Sequence, residues 1–256
     1  MKIFIIGSGN VATHLSGAML KAGHNIIGVC GRDFGHTEEL AKKLNTKPFN
    51  SLAQIPTDAD VYLISVSDDS IADVAAQMPD VEGIVAHTAG SVPMSILNRF
   101  SHHGVIYPLQ SFSKSRKIDV SRVPFCIEGC DSNTTGTLKA LARTLSYDVR
   151  PMTTEQRAQL HIAAVFASNF VNSMYAEAET ILKNSDIPFD IMRELIAETA
   201  AKAAELGPVA AQTGPARRGD QGVMNRQMQS LSDGELQKLY SFVSERIQNR
   251  YKPKGN

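Results

Sequence analysis

A stretch without charge, residues 158–176, lies within a longer segment that lacks Gly and Pro and can form one helix. At about 100° per residue, one stripe of such a helix holds His161, Val165, Ser168 and Asn172, with Asn169 at its edge. Solvent-facing stripes are usually rich in Glu and Lys, so an uncharged polar stripe indicates a buried wall or a cleft wall. We predict His161 as a general acid or base and Asn169 as a hydrogen-bonding residue that orients the substrate. Ser168 and Asn172 are predicted substrate contacts.

Two adjacent arginines, Arg217 and Arg218, lie in the segment TGPARRGD at 213–220. The Gly-Pro pair interrupts the surrounding helical pattern, and a guanidinium is a natural bidentate partner for a carboxylate. We therefore predict that one of the two arginines holds an anionic group of a substrate. The alternative is that both are solvated or paired with a neighbouring acid such as Asp220.

The segment IIGSGNVA places Gly7, Gly9 and Ala12 in a G-x-G-x-x-A array between an apolar strand and a helix. Gly7 permits a tight turn, Gly9 lets the backbone approach a pyrophosphate, and Ala12 keeps the helix close to the strand. The pyrophosphate of a dinucleotide would bind the free N–H groups of the helix N-terminus. The predicted dinucleotide-binding residues of this turn are Gly7, Ser8, Gly9, Asn10 and Val11.

The end of the second strand, VCGRD, indicates which dinucleotide binds. An NAD site places an Asp or Glu there, about 20 residues beyond the glycine turn, to hold the ribose 2′-hydroxyl. Here Gly31 and Arg32 take that place, and Arg32 can face a 2′-phosphate. The sequence therefore favours NADP. Asp33 follows directly, so NAD stays open as the second possibility.

Two later strands end in small or polar residues. The first ends in LISVSDDSI and the second in AHTAGS, and ligands of open α/β sheets bind at the carboxyl ends of the strands. We predict that these ends contact the nicotinamide half of the cofactor through Ser65, Val66, Ser67 and His87.

These residues need an alternating strand–helix scaffold, and the first 151 residues have that rhythm. Apolar runs at 2–7, 25–30, 60–67 and 83–88 alternate with helical patterns, which predicts an α/β fold with a doubly wound, mostly parallel sheet. Residues 152–256 predict an all-helical domain that ends in a short tail, KPKGN. On its long helix, the face opposite the polar stripe is predicted as core: Ile162, Phe166, Phe170 and Met174.

Composition excludes several classes of function. The chain has 26 Lys and Arg against 26 Asp and Glu, so no net charge favours nucleic acid or an anionic membrane. Its three Cys show no zinc-binding spacing, so we predict no metal site and reduced thiols in a cytoplasmic protein. The N-terminal apolar run is too short for a signal peptide, and no stretch reaches the roughly 18 apolar residues of a membrane span.

Taken together, several motifs resemble a known family. The segments are IIGSGNVATHL, LISVSDDSI, AHTAGS, YPLQSF, HIAAVFASNF and TGPARRGD. They are similar to those of bacterial Rossmann-like oxidoreductases with a C-terminal domain of unknown function 2520. These proteins are related to pyrroline-5-carboxylate reductase within the 6-phosphogluconate-dehydrogenase-like superfamily. The resemblance implies an NADP-binding Rossmann domain, a helical domain that builds a homodimer, and an active cleft between the domains.

The chain departs from the better-known relatives. β-Hydroxyacid dehydrogenases place a Lys four residues before an Asn, where this chain has Val165 before Asn169. Prephenate dehydrogenases have a His-Pro after a late strand, where this chain has Tyr107-Pro108. The Gly-Ser-Gly-Pro loop of pyrroline-5-carboxylate reductases is absent before Thr153. The resemblance therefore supports the class of reaction and no single member of it.

The resulting hypothesis is an NADP-dependent oxidoreductase. It would transfer a hydride between nicotinamide and a small, carboxylate-bearing imine, carbonyl compound or alcohol. If His161 is not the proton donor, Tyr107 and Asp220 are the next candidates. The alternatives are an NADP-binding sensor or scaffold without turnover, and an enzyme of the prephenate dehydrogenase type.

Overall fold

The computed structural model describes residues 1–252, so the predicted tail lies outside the described residues except for Lys252. Contacts divide the chain into two compact units, Met1–Ser168 and Asn169–Asn256.

The first unit is built on an eight-stranded sheet in the order β3-β2-β1-β4-β5-β6-β7-β8. Its strands are β1 (Lys2–Ile6), β2 (Asn25–Cys30), β3 (Pro48–Phe49), β4 (Val61–Ile64), β5 (Ile84–His87), β6 (His103–Pro108), β7 (Phe125–Gly129) and β8 (Val149–Pro151). All neighbouring strands are parallel except β6 and β7. The strand order reverses at β1, which lies between β2 and β4, and ligands bind at such a switch point. The predicted α/β fold class is confirmed.

Five α-helices belong to this unit: α1 (Asn10–Lys21), α2 (Phe34–Leu44), α3 (Ile71–Gln77), α4 (Ser132–Arg143) and α5 (Thr154–Ala164). Two apolar clusters cover the sheet. One contains Leu15 of α1 and Leu141 of α4, and the other contains Ile71 of α3. All four residues of β4 are fully buried, because a parallel strand covered on both faces has no solvent side.

The start of the long helix belongs to the sheet unit. A capping box begins α5: Thr153 and Gln156 each accept a backbone N–H from the other. The sequence predicts a domain boundary after residue 151, whereas the contacts divide the chain between Ser168 and Asn169. The difference arises because Arg157 of α5 is buried in the sheet unit and hydrogen-bonded there.

The long helix is not a continuous α-helix. A π-helical turn, Val165–Phe170, separates α5 from α6 (Val171–Lys183). Its hydrogen bonds span five residues instead of four, so side chains beyond it leave the 100° periodicity on which the predicted polar stripe depends. The stripe from His161 to Asn172 therefore cannot be derived from α-helical geometry.

The predicted core face of the long helix is also exposed. Ile162, Phe166, Phe170 and Met174 are 51%, 63%, 48% and 40% exposed, respectively. The prediction that they form a core within one chain is wrong, because apolar periodicity identifies a face and not what covers it.

The second unit is helical, as predicted. After α6 it contains α7 (Arg193–Leu206), α8 (Pro208–Ala211), α9 (Pro215–Arg218), α10 (Gln221–Gln229) and α11 (Gly234–Tyr251). Among its described residues, only Ala216 and Met224 are buried. Across residues 1–252, no helix combines the length and the apolar character that crossing a membrane requires.

Candidate functional site

A cavity of about 850 Å³ opens where the strand order reverses, beside the carboxyl ends of β1, β2 and β4. It is lined by all the predicted cofactor-binding residues except His87: Gly7, Ser8, Gly9, Asn10, Val11, Arg32, Ser65, Val66 and Ser67. Predicted residues from three separate segments of the sequence therefore meet in one cavity.

The glycine turn has the geometry that a pyrophosphate needs. Gly7 has φ +117°, and a Cβ there would collide with the Ser65 carbonyl, so only glycine fits. A Cβ on Gly9 would meet no heavy atom within 4 Å, which leaves open space above the turn. Gly9 caps α1 without a side-chain hydrogen bond, and the first turn of α1 holds no acidic residue. Its N–H groups therefore suit an anionic ligand.

At the end of β2, Asp33 is engaged in capping a helix. Its Oδ1 accepts the His36 backbone N–H at 2.9 Å, and its Oδ2 lies 3.5 Å from His36 Nδ1. The hydrogen bond from His36 lowers the pKa of the Asp33 carboxyl, and the charges of His36 and Lys114 lower it further. Asp33 thus already has a partner that competes with a ribose hydroxyl.

Lys114 is a residue of this cavity that the sequence reasoning missed. It lies in the connection between β6 and β7, and its backbone N–H donates to Asn10 Oδ1 at 3.2 Å. Lys114 lines the cavity, as do Arg32 and His36. Because 104 positions separate Lys114 from Asn10, no local sequence motif could reveal the pairing.

At the ends of β4 and β5, Thr88 and Ser65 line the cavity together. The Thr88 hydroxyl donates to the Ser65 hydroxyl at 3.4 Å. His87, predicted to bind the cofactor, is fully buried and does not line the cavity. Successive side chains of a strand point to opposite faces, so Thr88 and not His87 faces this space.

His87 is held neutral in the interior. Its Nδ1 accepts the Ala89 N–H at 3.2 Å, while its Nε2 has no hydrogen-bond partner within the described residues. Burial, reinforced by the charge of Arg157, lowers the pKa of His87 to about 4. This histidine is therefore uncharged at neutral pH.

The predicted acid or base, His161, pairs with Tyr107. The Tyr107 hydroxyl lies 3.1 Å from His161 Nδ1, and the two rings pack edge to face. Burial raises the pKa of Tyr107, so its hydroxyl stays protonated at neutral pH. A Cβ on Gly90 would come within 2.5 Å of His161 Nδ1 and 2.8 Å of Tyr107 Cζ. Gly90 lies two residues beyond Thr88, so the turn at 88–90 connects the cavity to the Tyr107–His161 pair.

Arg157 is the second residue that the sequence reasoning missed. Its side chain is 1% exposed and forms an ion pair with Glu128 of β7, with 3.0 Å between Nη2 and Oε2. The available signal was a single Arg directly before the uncharged stretch at 158–176, because a cation beside an uncharged helix segment needs acceptors from elsewhere in the fold.

In the second unit, Arg217 has structural partners. Its Nη1 donates to the Val209 carbonyl at 3.3 Å, and its guanidinium lies 4.6 Å from the centre of the Tyr251 ring. Arg218 is exposed, and no side-chain hydrogen bond or ion pair is found for it within residues 1–252. Asp220 caps α10, because its Oδ1 accepts the Val223 N–H at 3.2 Å, and within residues 1–252 it forms no ion pair with Arg217 or Arg218.

The remaining predicted substrate contacts are exposed. Ser168 ends the first unit, and Asn169 and Asn172 begin the second; all three are exposed to solvent. Their predicted roles, and that of Arg218, stay predictions.

Two family models match the chain. One, described as an NADP oxidoreductase, coenzyme F420-dependent, matches residues 2–99. The other, the domain of unknown function 2520, matches residues 123–247. A comparison with curated proteins finds no match.

Solved structures give similar relatives. A candidate NADP oxidoreductase of Bacteroides fragilis is 40% identical with a TM-score of 0.89, and the alignment covers 97% of this chain and 98% of that one. A 1-pyrroline-5-carboxylate reductase of Streptococcus pyogenes is 15% identical with a TM-score of 0.66, covering 98% of both chains. A reductive aminase of Aspergillus terreus, in complex with NADPH4, cyclohexanone and allyl amine, is 13% identical with a TM-score of 0.71, covering 97% and 94%. The last two show a shared fold.

Proposed function

Because the chain belongs to the family of NADP-oxidoreductase-like proteins with a C-terminal domain of unknown function 2520, we propose that it is an NADPH-dependent imine or carbonyl reductase. The observation that carries the proposal is the Tyr107–His161 pair, which the turn at 88–90 connects to the dinucleotide cavity. A proton donor beside a nicotinamide site is what the reduction of a C=N or C=O bond requires.

The cavity suits a dinucleotide and favours NADP. The open glycine turn and the uncapped start of α1 would hold the pyrophosphate. Arg32 and Lys114 offer cationic groups to a 2′-phosphate, and Asp33 is engaged with α2. When bound, the cofactor supplies the hydride.

His161 provides the proton. In its protonated form the imidazole of His161 carries a proton on each nitrogen, and its Nδ1–H donates to the Tyr107 hydroxyl oxygen. The Nε2 proton passes to the substrate nitrogen or oxygen as the neighbouring carbon gains the hydride, which leaves a neutral imidazole, and the half-buried ring takes up its next proton from the solvent. Tyr107 fixes the tautomer and the orientation of the ring, so that no proton has to leave a buried phenol.

A carboxylate-bearing imine is the substrate class that we favour. The relatives described above include an enzyme named for an imine carboxylate, pyrroline-5-carboxylate, and one captured with a ketone and an amine. Arg218 is the candidate partner for the carboxylate, because Arg217 is occupied by Val209 and Tyr251.

The first step of the test measures NADPH binding through the intrinsic fluorescence of the cofactor. NADPH oxidation is then measured with 1-pyrroline-5-carboxylate, with cyclohexanone plus allyl amine, with a 2-oxo acid and, in reverse, with a 3-hydroxy acid. We expect turnover with the imine carboxylate. Tight NADPH binding without turnover on any compound would instead support a sensor, and NADP reduction by a cyclohexadienyl substrate would support the prephenate dehydrogenase type.

We also propose that two copies associate through the helical unit. Large apolar side chains are exposed there, and exposed apolar surface of this extent marks interaction sites. They are Phe170, Val171, Met174, Ile181, Ile187, Ile191, Leu195, Leu206, Val209, Phe242 and Val243.

A further inference from the structure

The guanidinium of Arg157 is buried, and both of its terminal nitrogens have partners, whereas Nε has none within the described residues. Nη1 donates to the carbonyls of Ala89, Gly90 and Val92 at 3.0, 3.0 and 2.7 Å. Nη2 donates to Glu128 Oε2 at 3.0 Å. A buried cation is stable only with such acceptors, so these bonds hold α5, residues 89–92 and Glu128 of β7 in fixed positions relative to one another.

Glu128 is held in place as well. The Thr154 hydroxyl lies 2.8 and 2.9 Å from its two carboxylate oxygens and donates to them, and Thr154 lies in the first turn of α5. Glu128 therefore connects β7 to the start of α5 at two points, Thr154 and Arg157. The start of the helix cannot shift along the sheet without breaking one of these bonds.

The segment that Arg157 binds is the one that contacts the reactive pair. Gly90, whose carbonyl accepts from Arg157, is also the residue that packs against the rings of Tyr107 and His161. Ala89 and Val92, the other two acceptors, lie on either side of it in the sequence. Arg157 and His161 are four residues apart on α5, so they lie on the same face, one turn from each other. The arginine thus fixes both the helix that carries His161 and the turn against which His161 packs.

We infer that Arg157 is a positioning residue that sets the orientation of His161 toward Tyr107. Its catalytic meaning rests on the proposed function, but its effect on the imidazole does not. Lysine keeps the charge but is a single ammonium with three donors and no planar fork. It cannot serve three carbonyls and a carboxylate in the same geometry, so Arg157→Lys loosens the turn while it retains the charge.

The experiment compares Arg157→Lys with Arg150→Lys. Arg150 is an exposed arginine of β8, paired with Asp148, and it serves as the matched control. The ring nitrogens of His161 are followed by long-range ¹H–¹⁵N NMR, with the signal assigned through His161→Gln. We expect Arg157→Lys to move the Nδ1 signal in the same direction as Tyr107→Phe, and Arg150→Lys to leave it in place. With a substrate that is turned over, kcat falls about tenfold or more while the KM for NADPH stays unchanged.

An unchanged His161 signal in a folded Arg157→Lys variant would overturn the inference. So would an equal loss of NADPH binding and turnover, which indicates general damage. If Arg157→Lys does not fold, Glu128→Gln is used, because it keeps an acceptor oxygen for Nη2 and removes only the carboxylate charge. It must move the same signal in the same direction. If none of the compounds is reduced, the proposed function fails, and the NMR result still decides the role of Arg157.

Discussion

At the scale of single residues, the hydrogen bond between Tyr107 and His161 makes the sharpest prediction. Tyr107→Phe removes the hydroxyl and keeps the ring, so His161 loses the group that fixes its tautomer. We expect kcat/KM for imine reduction to fall by about ten- to a hundredfold, the range of a general acid that has lost its orientation. Steady-state NADPH oxidation measures this loss.

Tyr147→Phe is the matched control, because Tyr147 is 92% exposed. It should leave kcat/KM unchanged. Equal activity of the Tyr107→Phe variant and the wild type would exclude the pair as the proton-donating group.

Cofactor preference belongs to the same scale. Arg32→Gln removes a cation from the cavity, and a charge-assisted hydrogen bond is worth about 1.5–3 kcal/mol. We expect the Kd for NADPH to rise by about tenfold or more and the Kd for NADH to stay constant. Fluorescence titration with both cofactors measures the ratio of the two Kd values.

The control is Arg116→Gln, because Arg116 is exposed and does not line the cavity. A parallel loss of affinity for NADH would mean that Arg32 does not contact the 2′-phosphate.

Where the signal was local, the predicted cofactor-binding residues line one cavity, and their roles stay predictions. The glycine turn, Arg32 and the serines after β4 lie next to strand ends, so their meeting in one cavity follows from the fold. Lys114 and Arg157 could not be predicted in the same way, because the partners that define them lie 104 and 29 positions away. His87 was misjudged by one residue, which is enough to turn a side chain to the opposite face of a strand.

At the scale of elements, the π-helical turn was the feature that the sequence did not reveal. Val, Phe, Ala, Ser and Asn fit either an α-helix or a π turn, so composition carries no signal for the extra residue. His161 lies before the turn and keeps its predicted place on α5. Asn169 lies within the turn and Asn172 lies beyond it, so their relation to His161 could not be read from a helical wheel.

The turn after β5 provides a test at this scale. Gly90→Ala adds a Cβ that would overlap His161 and Tyr107, so the pair must separate or the turn must shift. We expect turnover to fall about tenfold or more, while NADPH affinity stays unchanged because Gly90 does not line the cavity. Gly136→Ala in α4 is the control, since a Cβ there meets no heavy atom within 4 Å. That change should raise the free energy of unfolding by about 0.5–1 kcal/mol and leave activity unaltered. Full activity of the Gly90→Ala variant would show that this turn does not constrain the pair.

At the scale of the whole molecule, the strand–helix rhythm predicted the α/β unit because central strands such as β1 and β4 carry apolar runs. The change of texture near residue 151 coincides with the end of β8, and no strand follows it among the described residues. It does not coincide with the boundary between the two compact units, which falls after Ser168, because the buried contacts of Arg157 join α5 to the sheet unit.

The second unit makes the last prediction, since it buries only Ala216 and Met224 among its described residues. A helical unit with so small a core gains little from folding as a single copy, and a second copy would cover its exposed apolar side chains. We expect the wild type to sediment as two chains, and its Tm to fall on dilution because association stabilises the folded state. Phe242 of α11 is 64% exposed, and Phe242→Glu places a charge on this surface. The variant should sediment with the mass of a single chain, and its Tm should be lower than that of the wild type. Tyr147→Glu, on the exposed surface of the first unit, should change neither. A wild type that sediments as one chain at micromolar concentration would contradict the prediction and leave the apolar surface to another partner.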